Sequence, residues 1–380
     1  MTRAVVVDDS HFMRTVLADI LEDGGIDVVA TGADGREAVE LVSQHEPDVV
    51  TMDVEMPEMD GIEATAEIMR RDPVPILMVS AVTTDGADAT LEALERGAID
   101  VFAKPGGSIS TKLSGQKDQL VRAVERVARA DPAAALQTSP KASVSTTETE
   151  TRTGSSGGTV SHSTAAAPEA TPATDTAEAS YLDNPTLVIG ASTGGPNLVE
   201  RLLATLPVEA DLRILVVQHM PDQFTERFAK RLDQQSAYSI REAEERSRVG
   251  GGEGLVARGD YHMRVSGYGN GRLRVKLDQS EPVHSVRPAI DVTMRTAAEH
   301  VTDPLTGVVL TGMGADGAEG IRAVKEADGR TIAQDEDSAA VFGIPKKAIE
   351  TGAVDRVLPA GDIAEGILES FRSDTTWTTT

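Results

Sequence analysis

The sequence predicts two α/β domains, each a doubly wound parallel sheet, the second carrying an antiparallel hairpin insertion, with a disordered linker between them. A chain of 380 residues is long for one domain and suits two. Residues 131–183 are Ala, Thr, Ser, Pro, Gly and Glu with almost no large apolar side chain, so they cannot bury enough surface to offset their ordering entropy. On both sides of this stretch, short β-branched apolar runs alternate with helical periodicity, the pattern of parallel strands covered by helices. The expected division is therefore 1–130 and 184–372 for the folded parts, 131–183 for the linker and 373–380 for a loose tail.

In the first part the strand candidates are Ala4–Val7, Val28–Ala30, Val49–Met52, Ile76–Val79 and Val101–Ala103. Between the first two, Met13, Leu17, Ile20 and Leu21 share one helical face, and Gly24-Gly25 closes that helix. In the second part, Thr186–Ile189, Arg213–Val217, Leu305–Leu310, Thr331–Ala333 and Val354–Leu358 read as strands, most of them followed by helical patterns. Leu255–Val265 and Leu273–Leu277 flank Gly267-Tyr268-Gly269-Asn270-Gly271, and Asn270-Gly271 is a hairpin turn signal.

The net charge is −25, spread as −13 over residues 1–130, −5 over 131–183 and −7 over 184–380. No segment is basic, which argues against attraction to a nucleic-acid backbone. An acidic, lysine-poor chain suits a high-salt medium that screens dense charge, and equally suits simple solubility. There is no cysteine, which excludes disulfides, thiolate metal sites and cysteine nucleophiles. No apolar run is long enough to span a bilayer, and Asp8 and Asp9 interrupt the N-terminus before a secretory signal could form, so a cytoplasmic location with no membrane insertion is expected.

Asp8 and Asp9 end the first strand, Asp53 the third, Ser80 the fourth, and Lys104-Pro105 the fifth. In a doubly wound sheet these positions gather at the carboxyl edge, where ligands bind. Acids at loop starts are ordinarily turn and capping residues. Five such residues at four strand ends are harder to explain that way. Three carboxylates repel one another unless a cation joins them, and oxygen ligands with open positions suit Mg²⁺. A Lys and a Ser hydroxyl beside it suit a phosphoryl group. Over residues 1–125 this pattern resembles the receiver domains of two-component response regulators, which implies a flavodoxin-like fold. The resemblance implies Asp53 as phospho-acceptor, Mg²⁺ held by Asp8, Asp9, Asp53 and the backbone of Glu55, and phosphoryl sensing by Ser80 and Lys104. One departure is that Val101 stands where the family's switch aromatic usually lies, with Phe102 beside it on the opposite face of a regular strand.

Gly190-Ala191-Ser192-Thr193-Gly194-Gly195-Pro196 follows the first strand of the second part. The Gly-x-Ser-x-Gly spacing permits a sharp strand-to-helix turn that exposes a hydroxyl, and the following helix offers N–H groups to an oxyanion. A capped glycine-rich turn or a phosphate-binding loop would use similar residues. His219 follows the strand Arg213–Val217 at the same edge and is the base candidate; His262 competes, and His284 is weaker. Asp316 lies in the turn Thr311–Gly317 after a third strand, where the ordinary reading of an Asp is a helix cap. The order Ser…His…Asp differs from that of common α/β hydrolases.

These residues, together with Gln218–Pro221, Asp260–Met263, Arg287–Asp291, Ala333–Glu336 and Phe342–Pro345, resemble the chemotaxis methylesterase catalytic domain over about 184–370. The resemblance implies a Rossmann-like domain with Ser192 as nucleophile, His219 as general base and Asp316 as its partner. It places Thr193, Gly194, Met313 and Gly314 around the oxyanion and substrate. Ala257-Arg258-Gly259 departs from the family's usual Ala-Pro-Gly. The implied activity is phosphorylation-activated hydrolysis of methyl esters on receptor glutamates, with deamidation of receptor glutamines as a second reaction, and no cofactor for the esterase. The implied partners are methyl-accepting chemotaxis receptors and a histidine kinase as phosphodonor. A DNA-binding regulator would carry a small basic helical output, and a nucleotide-binding output would want G-x-G-x-x-G; the second part has neither.

Overall fold

The computed structural model describes residues 1–81, 84–104, 116–137 and 180–373. The first sheet is five-stranded and parallel, with β1 (Arg3–Val7), β2 (Asp27–Gly32), β3 (Val49–Met52), β4 (Ile76–Ala81) and β5 (Asp100–Lys104) in the order β2-β1-β3-β4-β5. Helices α1 (His11–Asp23), α2 (Gly35–His45), α3 (Gly61–Arg71), α4 (Thr84–Glu95) and α5 (Lys117–Val127) connect and cover it. The periodicity seen in sequence places α1: Met13, Leu17, Ile20 and Leu21 are its buried residues, and Ser10 caps its start by accepting from Met13 N. Asp34 and Asp60 cap α2 and α3 in the same way. Within β5, Val101 and Phe102 face opposite sides of the sheet, as regular alternation requires, and belong to different buried clusters.

Helix α6 (Pro132–Gln137) lies within the stretch whose composition suggests a linker. Its approach is tied down, because Asp131 N donates to Ala340 O at 2.9 Å. At the other end of that stretch Tyr181 bridges to Arg372, and Leu182 N donates to Phe371 O at 2.8 Å. Residues 138–179 of the expected linker, Pro105, and the expected tail from Asp374 onward lie outside the described residues.

The second sheet has seven parallel strands: β6 (Thr186–Ala191), β7 (Arg213–Gln218), β8 (Ser239–Glu242), β10 (Glu253–Val256), β13 (Leu305–Val309), β14 (Arg330–Gln334) and β15 (Arg356–Leu358), in the order β15-β14-β13-β6-β7-β10-β8. A separate antiparallel sheet holds β9 (Arg248–Val249), β11 (His262–Gly269) and β12 (Arg272–Asp278) in the order β11-β12-β9. The expected hairpin is β11–β12, turning at Asn270 and Gly271, both at positive φ. The expected run Leu255–Val265 is not one hairpin arm. Its first residues join the main sheet in β10, and the chain breaks at Ala257–Tyr261, where Asp260 has φ +63°. Gly259 approaches the backbone of Asp222 too closely for a side chain, and the Arg258 guanidinium stacks over Tyr261 at 5.1 Å.

Helices α7 (Gly195–Thr205), α8 (Asp222–Gln235), α9 (Ile290–His300), α10 (Ala318–Glu326), α11 (Ile344–Glu350) and α12 (Ile363–Phe371) flank this sheet. On leaving β6 the chain proceeds to β7 on one side, whereas β13 lies on the other and proceeds away to β14 and β15. The crevice at this reversal, outside the carboxyl ends of β6 and β13, is where ligands bind in open α/β sheets. Gly190 in β6 lets α9 pack directly onto the sheet, since a Cβ there would collide with Ile290.

Gly190→Ala is therefore expected to destabilise the protein by about 1–3 kcal/mol through overpacking. The check is a lower urea midpoint at unchanged slope; an unaltered midpoint would mean that Ile290 yields freely.

Candidate active site and phospho-acceptor pocket

At the switch crevice, β6 ends at Ala191 and the chain turns through Ser192 into α7. Gly194, at φ +76°, makes the turn, and a Cβ there would lie 2.7 Å from that of Ala340. Ser192 N donates to Thr311 O at 3.0 Å, joining the turn after β6 to the one after β13. Gln218, buried at the end of β7, donates through Nε2 to Ser192 O at 2.8 Å. Thr311 Oγ1 donates to Thr193 O at 3.0 Å, and Thr311 N donates to Gln334 Oε1 at 2.8 Å. The Ser192 turn is thus held by neighbouring strand ends on both sides. The sequence offers Gln218 and Thr311 only as members of the segments that carry the resemblance, and nothing in their spacing marks these bonds.

His219 Nε2 lies 2.8 Å from Asp316 Oδ2. The same Asp316 oxygen accepts from Ile290 N at 2.7 Å, and Oδ1 accepts from Asp291 N at 2.9 Å. Burial alone would raise the Asp316 carboxyl, but the His219 bond and charge and these N–H groups outweigh it and hold the group below the ordinary carboxylate range. Asp316 does cap a helix, though not the one it precedes: its carboxylate closes the N-terminus of α9, while α10 begins after Gly317 with no cap from its own side chain.

The competing histidine is used elsewhere. His262 is fully buried, its Nδ1 accepts from Ala289 N at 3.2 Å, and Nε2 faces Glu281 O at 3.2 Å. His284 pairs through Nε2 with Asp291 at 2.9 Å.

Ser192, His219, Met313 and Gly314 line one cavity of about 990 Å³. Its opposite wall comes from the first part of the chain, including Phe102, Lys104, Arg122 and Arg126. The contact is specific. Gly194 N, at the start of α7, donates to Ile99 O at 3.0 Å, and Thr193 Oγ1 donates to Asp100 Oδ2 at 2.9 Å. Asn197 Nδ2 donates to Leu94 O. Burial pushes the Asp100 carboxyl up, against the opposing effect of Arg126 at 3.9 Å. Arg227 pairs with Asp88 at 2.8 Å, and Arg231 pairs with Glu95. One buried apolar cluster runs from Leu91 and Leu94 of α4 into Leu198, Phe224 and Phe228. A second contains Phe102, Ala340 and Val341, with Met313 packed against it. The residues expected to serve an oxyanion, Thr193 and Gly194, are therefore engaged by the first part of the chain. Asp100 carried no signal in sequence, because it begins a strand like many others.

In the first sheet, Asp8, Asp9 and Asp53 bring carboxylate oxygens within 4.8 Å of one another. Lys104 Nζ lies 2.7 Å from Asp8 Oδ2 and 2.6 Å from Asp53 Oδ2. Ser80 is buried at the end of β4. The Asp53 carboxyl is pushed up to about 6, chiefly by burial and also by Asp8, with Lys104 opposing. An all-oxygen donor set of this density, with Asp9 exposed to solvent, fits a hard divalent cation such as Mg²⁺.

Two family profiles match the chain: CheB methylesterase over residues 187–367, and the response regulator receiver domain over residues 4–111. A Halobacterium salinarum protein named protein-glutamate methylesterase/protein-glutamine glutaminase is 64% identical over 375 residues, spanning 99% of this chain and 100% of its own. A protein of the same name from Haloarcula marismortui is 56% identical, spanning 98% of this chain and 99% of its own. Another from Pyrococcus horikoshii is 42% identical, spanning 97% and 93%.

Because a cation binding only the folded pocket stabilises it, saturating Mg²⁺ is expected to add about 1–3 kcal/mol, seen as a rise of a few degrees in unfolding temperature that EDTA reverses. Asp9→Asn should lose most of that rise. An equal rise in this variant would place the cation elsewhere.

Proposed function

The chain belongs to the CheB methylesterase family, with a response-regulator receiver ahead of the esterase, and from that premise we propose the chemistry of its two sites. The protein removes methyl esters from glutamate side chains of chemotaxis receptors in sensory adaptation, and deamidates receptor glutamines, under control of receiver phosphorylation. Ser192 Oγ attacks the ester carbonyl, and His219 takes the hydroxyl proton. The ring presents Nε2 to Asp316, so Nδ1 is the nitrogen left for that proton. Backbone N–H groups at the start of α7, with the Met313–Gly314 turn beside them, receive the negative oxygen. His219 returns the proton to departing methanol, and a water activated by the same base cleaves the acyl-enzyme to free glutamate and Ser192. Glutamine follows the same steps with ammonia as leaving group. The observation that carries this reading is the His219–Asp316 pair at 2.8 Å, with His219 lining one cavity together with Ser192.

In the receiver, Asp53 accepts the phosphoryl group from a histidine kinase. Asp8, Asp9 and Asp53 would hold a Mg²⁺ ion, which would supply positive charge to offset that of the phosphodonor, while Lys104 and Ser80 bind phosphoryl oxygens. The unphosphorylated receiver keeps the esterase closed, because Ile99 O and Asp100 occupy groups at the start of α7 and α4 packs on α8. Phosphorylation reshapes the β4–β5 end of the receiver and weakens this contact.

Ser192→Ala is expected to abolish methanol release from methylated receptors without unfolding the chain; retained turnover would remove Ser192 from the mechanism. Acetyl phosphate with Mg²⁺ should label Asp53, and Asp53→Asn should abolish labelling. Arg227→Glu, placed against Asp88, should raise the unphosphorylated rate at least about threefold, since an interface loss of about 1 kcal/mol shifts a closed equilibrium severalfold. An unchanged basal rate would mean that this contact does not restrain the enzyme.

A further inference from the structure

Two buried carboxylates beside the site serve each other's helices. Asp316, just before α10, accepts from Ile290 N and Asp291 N at the start of α9. Asp291, in the first turn of α9, accepts through Oδ1 from Gly317 N at 2.8 Å and Gly320 N at 2.7 Å at the start of α10. Its Oδ2 faces His284 Nε2 at 2.9 Å. Neither helix has a side-chain cap at its own N-cap position, Ala289 for α9 and Gly317 for α10. Both carboxylates are about 2% exposed. The exchange brings two like charges together, a cost that burial and the Asp316 charge express by raising the Asp291 carboxyl. A fold that only needed two caps could use uncharged Ser or Thr at the two N-cap positions.

We propose that Asp291 is a positioning residue for the esterase: by binding the N–H groups of Gly317 and Gly320 it fixes the turn that carries Asp316, and so fixes the carboxylate that orients His219. The close packing of the two helices supports this, since a Cβ at Gly320 would already lie 2.7 Å from Met294 Cβ. The Gly317 N–H belongs to the peptide directly after Asp316, so a shift there moves the Asp316 side chain. A displacement of about 1 Å in a catalytic group can cost on the order of a hundredfold in rate. The role needs the Asp291 acceptor oxygen rather than its charge.

This inference rests on the Ser192–His219–Asp316 reading, and a double-mutant cycle separates the two. The measurement is methanol release by the full-length protein, with acetyl phosphate and Mg²⁺, on membranes carrying methylated receptors. Asp291→Ala is expected to lower kcat about tenfold to a hundredfold with KM nearly unchanged. In an Asp316→Ala background it should cost less than about threefold more, because its route to the chemistry is already gone. Asp291→Asn, which keeps the acceptor oxygen, should hold kcat within about fivefold of the parent. Equal losses in both backgrounds, or no loss in either, would overturn the proposal while leaving the triad intact. If Asp316→Ala itself keeps full activity, the triad reading fails and this one with it. Should Asp291→Ala not fold, the asparagine variant decides: a hundredfold fall in its kcat would show that charge, not the acceptor, is required, and would sink the idea.

Discussion

The chemistry of the second sheet depends on β6 and β13 lying side by side while the chain leaves them in opposite directions. That reversal opens a crevice at the carboxyl ends of the two strands, and turns from three strand ends converge on it. Ser192 follows β6, His219 follows β7 and Asp316 follows β13. Buried bonds from Gln218 and Thr311 hold the Ser192 turn to its neighbours, so the site is built on strand ends rather than on free loops. The first sheet obeys the same rule. Its reversal lies between β1 and β3, and Asp8 and Asp53 stand at those two ends.

The two crevices are joined by one contact surface. The end of α4 and the start of β5 supply Leu94 O, Ile99 O and Asp100, which meet the first turn of α7. Helix N-termini carry unpaired N–H groups that need acceptors. An oxyanion would be one acceptor, and a backbone carbonyl of the receiver is another. Here the Gly194 N–H finds its acceptor in Ile99 O of the receiver. Arg227 adds an ion pair where solvent around Asp88 limits it to a modest contribution, and Arg231 joins Glu95 and Glu200 in a half-buried group.

Much of this was legible in order along the chain. The helix over His11–Asp23 follows from its apolar spacing, and the hairpin turn at Asn270-Gly271 from its dipeptide. The five candidates of the first part stand at strand ends, because β-branched runs ending in an acid, a hydroxyl or a lysine mark the carboxyl edge without knowledge of strand order. Leu255–Val265 misled because apolar residues suited to a parallel strand and to a hairpin look alike in a short window; only pairing of β10 with β7 separates them. The short strands β8 and β9 left no clear pattern, being two to four residues long.

What the sequence determined by itself was local: which segments are strands or helices, which residues sit at strand ends, and which titratable types are available there. What surrounds His219, His262 and His284 was not local. His262 is consumed by Ala289 N and the Glu281 carbonyl, and His284 by Asp291, partners 27, 19 and 7 residues away. The caps of α9 and α10 likewise come from each other, across 25 or more residues, while the positions next to them in sequence are Ala289 and Gly317. Periodicity reports only which face of an element is buried. Which distant group meets a side chain there is set by strand order and helix packing, and those exist only once the chain has closed on itself.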